Sequence, residues 1–271
     1  MGKKQLKQHC AQLLSTIEEK LTDLLKQQSD DETIHELRVS VRRITPVLEL
    51  LIALEQDSQH KKRWRKHKRV FRTLFKTLSA PRDLEVQVKL AQSLADQTIQ
   101  DSSSLALYIE RLQQEKQRLD GQLLASVAGL FVSESIAFAR QNAHFDEVKK
   151  KTLQAQLQAD EKAYKQALKA SVKQLKKEAE HFHSTRIQLK KFRYFLELNQ
   201  VATQVDDERL KTLKTIQDHL GDTNDLHIAL KLMAQNHTDA AVIEQVEGLY
   251  QDHLQKSVAA IFNNLKPLRL K

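Results

Sequence analysis

One pattern occurs twice in this chain. Ile34-His35-Glu36-Leu37-Arg38-Val39-Ser40-Val41-Arg42-Arg43-Ile44 matches Phe182-His183-Ser184-Thr185-Arg186-Ile187-Gln188-Leu189-Lys190-Lys191-Phe192, and the match continues to Leu48-Glu49-Leu50 and Leu196-Glu197-Leu198. Further along, Leu78-Ser79-Ala80-Pro81-Arg82-Asp83-Leu84-Glu85-Val86 matches Leu220-Gly221-Asp222-Thr223-Asn224-Asp225-Leu226-His227-Ile228 in the same order. Repetition in register means a duplicated unit whose two copies bury equivalent faces. With only 5 Gly and 3 Pro, and Leu, Lys, Gln, Ala and Glu abundant, that unit is built of helices. The fold class is all-α.

Amphipathic periodicity predicts helices over 3–27, 31–55, 60–79, 83–98 and 103–119 in the first copy. In the second copy it predicts 150–180, 181–200, 206–220, 224–236 and 239–265. The breaks fall on turn and N-cap residues: Gln28-Ser29-Asp30-Asp31, Ser79-Ala80-Pro81, Asp101-Ser102-Ser103-Ser104 and Gly221-Asp222-Thr223-Asn224. One domain over 1–271 is expected, with a first helical half over 1–140, a second over 150–271 and a seam near 120–150. Short connections between long helices favour antiparallel packing, hence two bundle-like halves related by a pseudo-twofold axis.

On a helical wheel, Arg38 and Arg42 fall within roughly 60° of His35, at about 100° per residue. Ile34, Leu37, Val41, Ile44 and Leu48 form the adjoining apolar arc, while Glu36, Ser40 and Arg43 occupy the far face. The His35 strip is therefore expected to face inward. His183, Arg186, Lys190 and Arg193 repeat it between Phe182, Leu189, Phe192 and Leu196 on one side and Ile187 on the other. Buried cations need an anion opposite them, because an unpaired charge in a low-dielectric setting costs several kcal/mol. Glu49, Glu197, Asp83 and Asp225 are internal candidates, the two aspartates being read as helix caps or as orienters of basic side chains.

Cations nevertheless outnumber those carboxylates. His60 to Lys76 reads HKKRWRKHKRVFRTLFK without one Asp or Glu, and Lys61, Arg65, Lys68, Arg72 and Lys76 recur at helical steps beside Trp64, Phe71, Leu74 and Phe75. Lys162, Lys165, Lys169, Lys173 and Lys176 form a further stripe, by itself an ordinary solvated face. The formal net charge is +9 and the pI about 9.4, so an acidic partner is expected. Inward basic strips make that partner a polyanion.

The doubled His-x-x-Arg-x-x-x-(Arg/Lys)-(Arg/Lys) helix, whose last position is Arg43 in the first copy and Lys191 in the second, and the segment Arg82-Asp83-Leu84-Glu85-Val86 resemble the CHAD (conserved histidine α-helical domain) family. The resemblance covers about 1–265. It implies two four-helix bundles around a basic central groove or cavity, binding of inorganic polyphosphate and association with polyphosphate granules. His35, Arg38, Arg42, Arg43, Arg82, His183, Arg186, Lys190, Lys191 and Arg193 would then contact phosphate, with the Lys61 to Lys76 stripe adding charge. The first copy departs from the family pattern at Thr45, with Pro46 expected to kink its helix, and the second at Asn224 in place of Arg82. A form without the CYTH triphosphatase domain carried by some relatives is expected.

Nucleic acid is the rival polyanion, but stacking on bases needs exposed aromatics, and Phe182, Phe192, Tyr194 and Phe195 lie largely on apolar arcs; Trp64 is ambiguous. Glu32-x-x-His35 and Glu180-x-x-His183 fit the ligand pair of di-iron bundles, yet the neighbouring inward residues are cations that oppose a metal ion. His181 and His183 point to different faces and cannot chelate together. No Gly-rich phosphate loop, nucleophile elbow or Cys-x-x-Cys pair occurs, so no enzyme, cofactor or metal is expected. A single cysteine, Cys10, and the lack of an apolar leader or long apolar run point to a cytoplasmic protein without a membrane span. Protonation of His35 and His183 is expected to strengthen binding as pH falls. Charge reversal at Arg38 and Arg186 is expected to abolish polyphosphate binding with helicity retained.

Overall fold

The structure, a computed structural model, describes residues 2–26, 31–97 and 102–268. The described residues form ten α-helices and two 3₁₀ turns, with no strand. The helices are α1 (Lys3–Leu25), α2 (Asp31–Leu54), α3 (Ser58–Thr77), α4 (Ser79–Gln97), α5 (Ser102–Ala128), α6 (Val132–Asn142), α7 (Lys150–Leu175), α8 (Phe182–Thr203), α9 (Arg209–Gln235) and α10 (Ala240–Asn263). The turns are Phe145–Glu147 and Ala179–His181. No single helix among the described residues is long and apolar enough to cross a membrane. The breaks expected at Gln28–Asp30 and at Asp101 lie outside the described residues.

Two compact units emerge, and neither is a half of the sequence. One comprises Met1–Ala80, Gln122–Leu168 and Lys191–Asp207; the other comprises Pro81–Gly121, Lys169–Lys190 and Glu208–Lys271. Each draws on both repeats, because α5, α7 and α8 pass from one unit into the other. A division at 120–150 is thus not the one the packing follows, and that stretch carries the end of α5, all of α6 and a 3₁₀ turn.

In the first unit α1 packs on α2, α2 on α3, and α6 on α3 and α1. Helix α1 buries Leu6, Cys10, Leu14, Ile17 and Leu21 at steps of three or four, and α2 answers with Leu37, Val41, Ile44 and Leu48. Each such leucine contributes about 1.5–3 kcal/mol when fully buried. Burial pushes the Cys10 thiol up to about 12, so it remains protonated and behaves as a small apolar side chain. Helix α3 starts where the Asp57 carboxylate accepts from the His60 backbone N–H at 2.5 Å, and it anchors through Trp64, Phe71 and Leu74. Helix α2 continues unbroken through Pro46, which is buried as Val47, Leu48 and Leu50 are, while the Thr45 hydroxyl donates to the Val41 carbonyl at 2.9 Å. Apolar anchoring on both sides of the proline carries the helix past its missing N–H.

In the second unit α4, α5, α9 and α10 share a core of Leu94, Tyr108, Leu112, Leu226, Met233 and Val246. The break expected at Gly221-Asp222-Thr223-Asn224 does not occur, and α9 runs through it. The reason is burial: Leu220, Thr223, Asn224 and Leu226 are all inside. Thr223 Oγ1 approaches the His219 and His253 carbonyls at 3.1 Å each and Ser257 Oγ at 2.7 Å, tying α9 to α10 at the predicted turn. Thr223→Val keeps the shape and removes the hydroxyl. It is expected to lower the unfolding free energy by about 1–2 kcal/mol in denaturant titration, the cost of leaving buried polar partners unmet.

Candidate functional site

Helix α2 sets Arg38 and Arg42 one turn apart, and α3 places Phe75 beneath both. Their guanidinium carbons lie 5.0 and 4.7 Å from its ring centroid. Arg38 is only 7% exposed, and its Nη1 donates to the Leu78 carbonyl at 2.9 Å. Leu78 is the C-cap of α3, so this guanidinium supplies positive charge where the helix dipole is negative. His35 is half-buried on the same helix, and Arg43 is exposed, as the wheel places it.

Arg43 and Arg193 meet at one carboxylate. Glu197 Oε2 lies 3.3 Å from Arg43 Nε, and its Oε1 accepts from Arg193 Nε at 2.8 Å. Arg43 and Glu197 border a groove of about 630 Å³ that His9, Gln12, Thr16, Gln200 and Asp206 also line. Burial, then the positive charge of Arg43, lowers the His9 pKa, keeping that imidazole neutral. The groove is mixed in charge.

A second groove, of about 460 Å³, lies between α2 and α3 and is strongly basic. Its lining is Arg65, Lys68, Arg69 and Arg72 from α3 with Glu49 and Ile52 from α2. Glu49 Oε1 accepts from Lys68 Nζ at 2.5 Å and Oε2 from the Tyr164 hydroxyl at 2.8 Å. Arg65, Arg69 and Arg72 are exposed. Arg69 is the residue that the periodic reading of the stripe passed over, although it stands one turn from both Arg65 and Arg72. Lys61 and Lys76 share the helix but do not line the groove. Trp64 is 1% exposed and packs edge-on against Phe138 at 4.9 Å, so it belongs to the core.

In the second unit His183 is exposed rather than turned inward, and its Nδ1 lies 3.2 Å from Asn224 Oδ1. The inward strip is interrupted there, since Ile187, expected beside it as an apolar flank, is exposed as well. Burial pushes the Asp225 carboxyl up, opposed by its hydrogen bond with Asn224 and by the charges of Arg186 and Lys190. His183, Arg186 and Lys190 thus gather around Asn224-Asp225. Neither aspartate caps a helix: Asp83 is exposed within α4, and Asp225 lies in the middle of α9. The positive charges of Arg186 and Lys190 act on Asp225 where it lies.

Arg82 is an ion-pair partner of Glu85, which also accepts from Lys89 at 2.5 Å. Burial works to raise the Glu85 carboxyl, but the hydrogen bonds from Lys89 and Arg82 hold it below the usual carboxylate range. Lys191 is exposed. Among the described residues one three-membered cluster has metal-ligand spacing, Glu178, Glu180 and His181, and it contains neither His35 nor His183.

A model of the CHAD domain family matches residues 5–234. No curated protein sequence matches the chain. Solved structures that share its fold include two CHAD-like chains. The CHAD domain from the plant Ricinus communis aligns with a TM-score of 0.64 at 18% identity, covering 97% of this chain and 86% of that one. PptA from Streptomyces chartreusis aligns with a TM-score of 0.66 at 17% identity, covering 98% and 99%. The repeated motif helices, the all-α fold and a family match over most of the length agree: the chain belongs to the CHAD domain family.

Proposed function

We propose that this protein binds inorganic polyphosphate without transforming it, and that the α2–α3 groove is its main anion-binding surface. The observation that carries this reading is the charge of the groove. Arg65, Lys68, Arg69 and Arg72 converge on a space bordered by one carboxylate, Glu49. Polyphosphate bears about one negative charge per phosphate, so a row of cations along a helix neutralises successive units and releases condensed counterions. The three arginines add forked donors that match phosphate oxygens. Arg186 and Lys190 beside Asp225 offer a smaller basic cluster. Family membership points the same way, and polyphosphate granules are the natural place for such a protein.

The aromatic side chains of α3 favour polyphosphate over nucleic acid. Trp64 and Phe71 are buried and Phe75 lies beneath two guanidinium groups, so none offers a free face to a base. A competition titration tests the reading. Labelled polyphosphate is expected to resist displacement until random DNA or RNA is present in roughly tenfold excess of phosphate units. Displacement at equal phosphate concentration would sink the polyphosphate assignment and leave a general polyanion binder.

A further inference from the structure

Both oxygens of the lone carboxylate in the α2–α3 groove are engaged, one by Lys68 and one by Tyr164. Tyr164 is fixed in turn, its ring stacked on Phe195 at 5.0 Å. Burial, then the charge of Glu49, pushes the phenol up, so it remains a donor. Asp160, one turn earlier on α7, is also pushed up by burial, with the charge of Glu49 adding to the effect. Glu49 is thus tethered from two sides, by Lys68 of α3 and by Tyr164 of α7.

The repeat supplies a second instance. Glu197, at the matching position of Leu196-Glu197-Leu198, likewise accepts from two side chains, Arg193 and Arg43, on a groove wall. The two surroundings differ in sign. Asp206 and a neutral His9 accompany Arg43 and Glu197 in one groove, whereas four cations face Glu49 in the other.

Building on the polyphosphate reading, we propose that Glu49 is a resident anion of the α2–α3 groove: it holds Lys68 in place in the free protein, yields it to a phosphate on binding, and selects for chains over single phosphates. A carboxylate and a phosphate compete for the same ammonium group. Because Tyr164 retains Glu49, the carboxylate remains in the groove and repels the arriving anion. A ligand whose linked charges also reach Arg65, Arg69 and Arg72 overcomes that repulsion. A lone phosphate, engaging one or two cations, does not. Glu49 is a positioning residue in this scheme, acting through Lys68.

Glu49→Gln keeps the size and an acceptor for Tyr164 while removing the charge. Affinity for polyphosphate of defined length is expected to rise roughly three- to tenfold, the effect of one partly solvated charge pair. The slope of log affinity against log salt is expected to steepen by about 0.7, one further phosphate neutralised on a flexible chain. Orthophosphate binding should gain proportionally more, so the preference for chains narrows. Glu115→Gln removes the same charge from an exposed pair with Arg118 on α5 and is expected to change affinity less than about twofold. If the wild-type protein does not bind polyphosphate, the proposed function fails. If it binds, and Glu49→Gln is no tighter than wild type or no tighter than Glu115→Gln, the resident-anion role is overturned while the function stands.

Discussion

Reversing two charges in the α2–α3 groove, with Arg65→Glu and Arg72→Glu together, is expected to weaken polyphosphate binding by at least roughly 100-fold while leaving the fold intact. The two arginines stand two turns apart on the exposed side of α3, and both line the groove. Each reversal removes a forked donor and adds a repulsive charge. At about 1.5–2.5 kcal/mol for each reversal at a partly solvated site, the pair amounts to about 3–5 kcal/mol. The salt dependence should flatten by about 1.4 in slope, two phosphates no longer neutralised. Stability is not at risk, because α3 contains no carboxylate and new acidic side chains at 65 and 72 find Lys61, Lys68, Arg69 and Lys76 one turn away. Titration of labelled polyphosphate, with far-UV circular dichroism as the check on folding, reads the result. Binding equal to wild type would show that the groove is not the site.

The family and the helical class were legible because two motif types recur in order, a signal that no local accident imitates. The basic stripe of α3 was legible for a similar reason: a helix-long run without Asp or Glu leaves no nearby partner for its charges. What sits opposite that stripe was not legible. Glu49 and Tyr164 meet across 115 positions of sequence, and nothing in either neighbourhood announces the pairing. The helix break expected at Gly221-Asp222-Thr223-Asn224 failed because turn chemistry is a local preference, which the hydrogen bonds and packing of Thr223 against α10 override. The same limit applies to Asp83 and Asp225, cap-forming residue types that lie inside helices. A wheel gives the face on which a side chain lies but not what occupies the other side, and the basic strips show that limit most clearly. His183 lies on the expected strip yet is exposed, whereas Arg38 lies on its counterpart and is buried against Phe75 and Leu78.

That last contrast changes the expected outcome of mutating the first motif. Arg38→Glu is expected to destabilise the fold by about 3–5 kcal/mol, so that any loss of binding follows from loss of structure. Arg38 is 7% exposed, and its Nη1 reaches the Leu78 carbonyl at 2.9 Å. A carboxylate there would confront a carbonyl oxygen at the negative end of α3, lose the stacking on Phe75, and leave the Leu78 carbonyl without this donor. For a chain of this length the thermal midpoint should fall by roughly 10 °C. Arg38→Lys, which keeps the charge but not the planar fork, should cost only about 1 kcal/mol. The equivalent arginine of the second repeat predicts a milder loss of stability. Arg186 is only half-buried, so Arg186→Glu removes a counter-charge from Asp225 at a site that water still reaches. Melting curves of the three variants separate the cases. An Arg38→Glu protein that melts with wild type yet fails to bind polyphosphate would return Arg38 to the ligand, whereas a large drop in the melting point confined to Arg38→Glu assigns it to the junction of α2 with the end of α3.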